Sequence, residues 1–512
     1  MPTPDRPWLP ETCALAVAAV GLLLGPAVRL SPDGLEMLAL AGCWAGGSCD
    51  GLLQGYWPPL WPALMVPFVG FDGEWAGRTV NVVCAALVVA PLWRTTAIAA
   101  GERAERSISG AVAAGVWVLL PMVSDHAVVL DARPLAWLLW AGGAWGAAEA
   151  VSGRRWGWGV AGVCGALAPL ARPEGLALPV GLAVFAALRG GGLRTAGALL
   201  LGGLLPKAAW SALMPENRGT VEAFFGPWFG VWPLDDLLTL YGPASLPSGY
   251  RQFALDTLAA GDVEAPRDVG GLLVAVTGAL ARAPVGIVGV GGGLLALLAI
   301  GRSFAALRSP AGRLPAVLGL GVLVALSAAP MAGGQASPAT NYLFLLPLGL
   351  VAAFRMPVRR PSDPRWLALV PLLVLLEAHF SPVREPPADF LLDTPSAKGA
   401  AEVIRHDATL DGATIHAGFE GRGILRRAGR PPLLLPSTWE HFDPQPGAYV
   451  LLVAHGLLEA GRALEVAEDP RAQLCWVYEG GLLERLSTPA FEAPPTLDWV
   501  ALYRWDAACP EP

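Results

Sequence analysis

Residues 157–188 read GWGVAGVCGALAPLARPEGLALPVGLAVFAAL, two apolar runs joined by a turn that carries Arg172 and Glu174. Pro173 lacks the amide donor a helix interior needs, and it steers the residue before it away from helical torsions. One helix is therefore expected over about 157–171 and another over about 175–188. Both are apolar on every side, the composition of helices that meet lipid or other helices rather than water.

The same pattern fills most of the chain. Of 512 residues, 54% are hydrophobic and 15% charged, against roughly 25% charged in a soluble globular protein. Crossing the ~30 Å hydrocarbon layer takes about 20 helical residues, and about eleven runs between residues 11 and 380 are candidates. From residue 381 onward Asp, Glu, Arg and His recur every few positions and no run could span. The expectation is a polytopic α-helical membrane protein, with a bundle of about eleven transmembrane helices over 1–380 and a soluble α/β domain over 381–512. The first apolar run has no convincing cleavage site after it and is read as a retained span. A net charge of −7 without a basic stripe sets nucleic acid aside.

Arginine fixes the orientation. Arg103 and Arg106, Arg154 and Arg155, Arg189 and Arg194, Arg302, Arg308 and Arg313, and Arg355 to Arg365 fall in alternate loops, as they do on the cytoplasmic side. The N-terminus is then inside, and the tail and the loops 30–74 and 212–268 are outside. Cys43 with Cys49, and Cys475 with Cys509, fall in outer segments. They suit disulfides of an oxidising compartment, and free thiols satisfy the sequence equally. No Cys or His spacing resembles a zinc site.

Ionisable residues at the ends of spans gather on the outer side: Asp33, Arg78, Asp125, His126, Asp131, Arg133, the Arg172 and Glu174 pair, and Lys207. At membrane depth such groups are costly and face a bundle interior or a wet cavity. A lone arginine can instead snorkel to the headgroups, whereas a short carboxylate reaches less far. In SPDGLEMLALAGCW, Asp33 and Glu36 stand three apart, on one face of a short surface helix. The proline-rich YWPPLWPALMVPFVGF, beginning at Tyr56, reads as a second surface helix, with the next span starting near Trp75. Aromatics of the second outer loop, FFGPWFGVWPLDDLLTLYGP, suit a sugar ring, an isoprenoid chain or an ordinary interface, and Asp235 and Asp236 form no metal signature.

Three stretches, in order, resemble the GT-C superclass of membrane glycosyltransferases, the group of the lipid A aminoarabinose transferase and the protein O-mannosyltransferases. They are the Asp33 loop followed by YWPPLWPALMVPF, similar to that group's PPLYPLL segment; DARPLAWLLW around Asp131; and GWGVAGVCGALAPLARPEGLALP, similar to its helical turn ending in TRPEG. In ATNYLFLLPLGL, Asn341 stands where the group often has Arg. The order of elements matches over nearly the whole chain, tail included. The tail reads as a helix from Ser396, strands near ATIHAG, AYVLLVAH, QLCWVYEG and WVALYRW, and a helix after Gly456.

The resemblance implies transfer of a sugar from a polyprenyl-phosphate donor in the bilayer to a glycan, lipid or protein acceptor at the outer face. It implies Asp33 as catalytic base and Asp131 as second acid, orienting the acceptor or holding a basic partner. Arg172 and Lys207 would take the phosphate, with Glu174 positioning Arg172. Glu36, Tyr56, Arg133, Asn341 and Tyr342 complete the substrate-binding set. The first loop has no Asp-x-Asp, which argues against the metal-using branch; no metal ligand is assigned, and a divalent metal stays open without a motif to signal it. The alternatives are a carrier or lipid flippase with a polar cavity, and a non-catalytic relative whose tail binds cell-envelope partners.

Overall fold

The computed structural model describes most of residues 32–213 and, in the tail, segments within 394–430, 433–434, 445–453, 469–479, 482–484 and 499–510. The expected spans before residue 32 and beyond 213, the loop 214–268, the helix after Gly456, and Tyr56, Asn341 and Tyr342 lie outside the described residues. Of Asp33 and Glu174 the backbone path is described.

The first described helix, α1 (Pro32–Trp44), opens on a proline, whose missing amide costs nothing in a first turn. The expected second surface helix is α2 (Leu60–Met65), extended by a 3-10 turn over Val66–Phe68 and kept short by its prolines. Next come α3 (Gly73–Leu87) and α4 (Val89–Ala100), which together give the apolar stretch Gly73–Ile98, long enough to cross a membrane. Helix α5 (Arg133–Val151) leads to α6 (Trp156–Ala171), the 3-10 turn Pro173–Leu176, α7 (Ala177–Leu188) and α8 (Gly192–Leu213). Helix α8 also passes the length and hydropathy test for a crossing. The helix expected from residue 175 begins two positions later, because the first turn after Pro173 winds as a 3-10 helix.

Small residues let these helices close in. A side chain at Gly157 would collide with the Gly146 carbonyl, and one at Gly203 with Pro179. Backbone approaches α5 on α6 and α7 on α8 at these points, the mode of packing that helices use where hydrophobicity gives no drive to associate. The indole of Trp117 donates to the Ala85 carbonyl at 2.9 Å and meets Trp137 edge to face. On the outer faces of α6 to α8, Val163, Val184, Leu201 and Leu205 are exposed, an apolar surface of the kind that faces lipid.

The tail is a mixed sheet flanked by α9 (Pro395–His406) and α10 (Phe419–Arg427). Its strands are β1 (Ile415–Ala417), β2 (Leu433–Leu434), β3 (Tyr449–Val453), β4 (Ala472–Glu479), β5 (Leu482–Glu484) and β6 (Trp499–Trp505), in the order β2-β1-β3-β6-β4-β5. β1 runs parallel to β2 and β3, and the remaining pairs are antiparallel. Strand alternation sends Tyr449, Leu451, Val453, Val500 and Leu502 to one core, and Val450, Leu452, Ala501 and Tyr503 to the other. A bulge between Leu474 and Trp476 resets that alternation, so Leu474 and Val477 share a face although three positions apart. Cys475, at the bulge, is bonded to Cys509, and Cys43 to Cys49; Cys84 and Cys164, inside α3 and α6, are free thiols.

The core under α9 and α10 also takes in Leu35 of α1 and Leu130 of the segment before α5. The tail therefore rests on the stretches that carry Asp33 and Asp131.

Candidate functional site at the outer end of the bundle

The site begins with a glycine. At Gly34 a Cβ would collide with the Leu130 carbonyl, so the first turn of α1 and the segment ahead of α5 touch through backbone. Asp33 and Asp131 each stand next in sequence to a residue of that contact.

Buried Asn81 of α3 fixes the same segment. It accepts from the Trp61 indole of α2 at 2.9 Å and donates to the Val129 carbonyl. A polar residue amid WAGRTVNVV is a signal the sequence carries, and it ties α2 and α3 to the loop bearing Asp131.

Asp131 is the hub. Its Oδ1 accepts from Nη1 of Arg172 at 3.0 Å and from the amide of Arg133 at 3.2 Å, and its Oδ2 faces Nε of Arg133 at 3.0 Å. The amide contact sets a carboxylate at the start of α5, where the helix dipole favours negative charge. The Asp131, Arg133 and Arg172 side chains are 6%, 10% and 18% exposed, so the cluster is shielded and Arg172 is its most open member. Among the described side chains the cluster joins one acid to two arginines.

Arg172 reaches Asp131 because α6 stops at it. Arg172 is in extended conformation (φ −150°, ψ 150°) and its amide still bonds back to Ala168. The Gly175 amide then closes the turn on the Arg172 carbonyl at 2.9 Å, and Gly175 lies against the Ala168 carbonyl with no room for a Cβ. The structure gives Arg172 a partner in Asp131, 41 positions away; the side chain of Glu174, the expected partner, lies outside the described residues.

Lys207 is buried on the inward stripe of α8 with Ala196, Leu199 and Gly203. One turn on, Trp210 meets Trp44 edge to face at 5.9 Å, which brings that end of α8 to the last turn of α1.

Glu36, expected beside a donor, points into the tail. Its Oε1 lies 3.1 Å from Nη2 of Arg422 and 3.6 Å from Nε of Arg426, with Glu36 and Arg422 both 2% exposed. Arg422 and Arg426 are one turn apart on α10 and share a face. Burial holds the Arg426 guanidinium below its ordinary pKa; Glu36 draws it back up, and Arg422 adds to the lowering. The sequence reading missed both arginines, since nothing local to α10 marks a partner so remote in the chain. Among the described residues no three His, Cys, Asp or Glu side chains gather as metal ligands.

The fold has counterparts among solved structures. ArnT from Cupriavidus metallidurans, crystallised with undecaprenyl phosphate, superposes with a TM-score of 0.56 at 11% identity, over 96% of this chain and 97% of that one. The chain has a GT-C-like fold. The archaeal oligosaccharyltransferase AglB from Archaeoglobus fulgidus, in complex with an inhibitory peptide and a dolichol-phosphate, gives 0.51 at 12% identity over 94% and 75% of the two chains. No family model and no curated protein matches the sequence. The GT-C-like fold, a helical membrane bundle followed by a soluble domain, is thus shared at sequence identities that carry no more than architecture.

Proposed function

We propose that this chain is a glycosyltransferase that moves a sugar from a polyprenyl-phosphate donor to an acceptor at the outer face of the cytoplasmic membrane. The observation that carries the reading is the Asp131 cluster, a shielded carboxylate between two arginines, set against the helix turn that bears Asp33. Arg172 is the most open member of the cluster and has the forked donors that phosphate oxygens accept. The lipid phosphates in the ArnT and AglB structures support the donor class.

In the proposed reaction the acceptor hydroxyl oxygen attacks the anomeric carbon, the bond from that carbon to the phosphate oxygen breaks, and polyprenyl phosphate departs. Asp33 takes the hydroxyl proton as general base. Arg172, oriented by Asp131, and Lys207 answer the charge that builds on the leaving phosphate. Arg133 holds Asp131 in place, Glu174 is assigned to positioning Arg172, and Tyr56, Asn341 and Tyr342 are assigned to donor binding.

Depth in the membrane fits this chemistry. With Arg154 and Arg155 at the cytoplasmic surface, the 16 residues of α6 rise about 24 Å, short of the ~30 Å hydrocarbon layer. Arg172 then sits just inside the outer boundary, where a phosphate whose prenyl chain lies in the bilayer is found. The two disulfides, one beside α1 and one in the tail, suit an extracytoplasmic side.

Bond cleavage is the test. In proteoliposomes given a labelled polyprenyl-phosphate sugar, acceptor-dependent release of polyprenyl phosphate is expected. Passage of the lipid across the bilayer with its sugar still attached, and no release, contradicts the reading and favours the flippase.

A further inference from the structure

The tail domain meets the membrane bundle through charge as well as apolar packing. Leu35 and Leu130 enter the tail's own core, and between them Glu36 faces Arg422 and Arg426 of α10. All of these bundle residues belong to the two short stretches 33–36 and 130–131. A buried acid with a buried base is a demanding contact, because each charge stays comfortable only while the other holds its place. Replacing either partner strands the other in a site closed to water, whereas an exposed surface pair would cost little.

Residues on each side of this contact do different jobs. Gly421 of α10 packs its backbone on Ala417 and the Leu451 carbonyl, while Ile424 and Leu425 enter the sheet core. The α10 helix is therefore held rigidly by the tail, and Arg422 projects from a fixed base. On the bundle side, the first turn of α1 meets Leu130 through the backbone at Gly34, and Leu35 in the same turn enters the tail's core together with Leu130. The turn that carries Asp33 is therefore seated on bundle and tail together.

We propose that Arg422 is a positioning residue for the transfer site: by holding Glu36 it fixes the turn of α1 that presents Asp33, and the tail domain is thereby a working wall of the site. This rests on the function proposed above. Arg426 plays a lesser part, being farther from the carboxylate and more open. The donor phosphate is bound on the bundle, so loss of the clamp misplaces the base without removing the donor's partners.

The experiment compares wild type, Arg422→Ala, Arg422→Lys and Glu36→Gln as full-length protein in lipid nanodiscs. Three readouts are taken: kcat and KM with a polyprenyl-phosphate sugar, and amide hydrogen exchange over residues 32–44. Arg422→Ala is expected to lower kcat tenfold or more, to change KM for the donor less than threefold, and to speed exchange over residues 32–44. Arg422→Lys, which keeps the charge, recovers a measurable part of kcat. Turnover within twofold of wild type, or an unchanged exchange pattern, overturns the proposal. If Arg422→Ala does not fold, Glu36→Gln is decisive in its place: a tenfold loss of kcat with faster exchange supports the clamp, and wild-type values overturn it. If the wild-type protein transfers no sugar, the proposed function fails, and exchange over residues 32–44 alone then decides whether the clamp exists.

Discussion

Asp131 answers two arginines that arrive from different directions, one beside it at the head of α5 and one from the end of α6. Replacing it with asparagine keeps the shape and removes the charge both arginines need. Breaking a buried pair by deleting one partner costs roughly 3–5 kcal/mol, and the partial exposure of Arg172 trims that figure. Asp131→Asn is expected to lower the melting temperature of the detergent-solubilised protein by roughly 5 °C or more, measured by tryptophan fluorescence; an unchanged melt contradicts the hub role. At this scale charge in an apolar context marked Asp131, Arg172 and Lys207, and all three are partly or fully buried in the structure. That Asp131 meets Arg172 was not legible, because an ion pair that closes across two helices leaves no trace in local spacing. Glu36 was marked for the same reason as Asp33, yet its carboxylate is turned toward Arg422.

Elements were more legible than pairings. The break at Pro173 fell where proline chemistry sets it, with α6 over Trp156–Ala171 and α7 over Ala177–Leu188. Four strands of the tail lie where they were expected, two of them apolar runs buried almost throughout, whereas β2 and β5, of two and three residues, were not anticipated. Helix α10 was missed because FEGRGILRR has glycine at two positions and charge at four, a poor intrinsic helix that its packing stabilises. The seating of α1 on the segment before α5 turns on Gly34, and glycine in a helix gives no hint of what it lies against. Gly34→Ala adds one methyl where the Leu130 carbonyl already stands. The two stretches must part, at a cost of about 1–3 kcal/mol for an overpacked site, and Asp33 shifts relative to Asp131. Sugar transfer is expected to fall at least tenfold while the protein still inserts and purifies as a single species. Wild-type turnover in Gly34→Ala contradicts the close seating.

Over the whole molecule, the class of the fold was readable from composition, since 54% hydrophobic and 15% charged residues leave few alternatives to a membrane bundle. The contacts between remote segments were not: Gly34 on Leu130, Arg172 on Asp131 and Arg422 on Glu36 join stretches far apart in the chain. The arginine bias and the two disulfides are the grounds for proposing that the tail lies outside the cytoplasmic membrane. After mild reduction of intact spheroplasts, a membrane-impermeant maleimide is expected to label Cys475 and Cys509, which are half-buried in the tail, while Cys84 and Cys164 stay unmodified within their helices. Labelling of the tail only after lysis reverses the orientation. The central claim is that this outer chamber makes and breaks a glycosidic bond with Asp33 as its base. Its most direct measurement is the single-turnover rate of sugar transfer from a polyprenyl-phosphate donor by Asp33→Asn, beside wild type, with polyprenyl-phosphate binding measured on the same samples. The account predicts a rate reduced about a hundredfold or more with binding retained; transfer at the wild-type rate would contradict it.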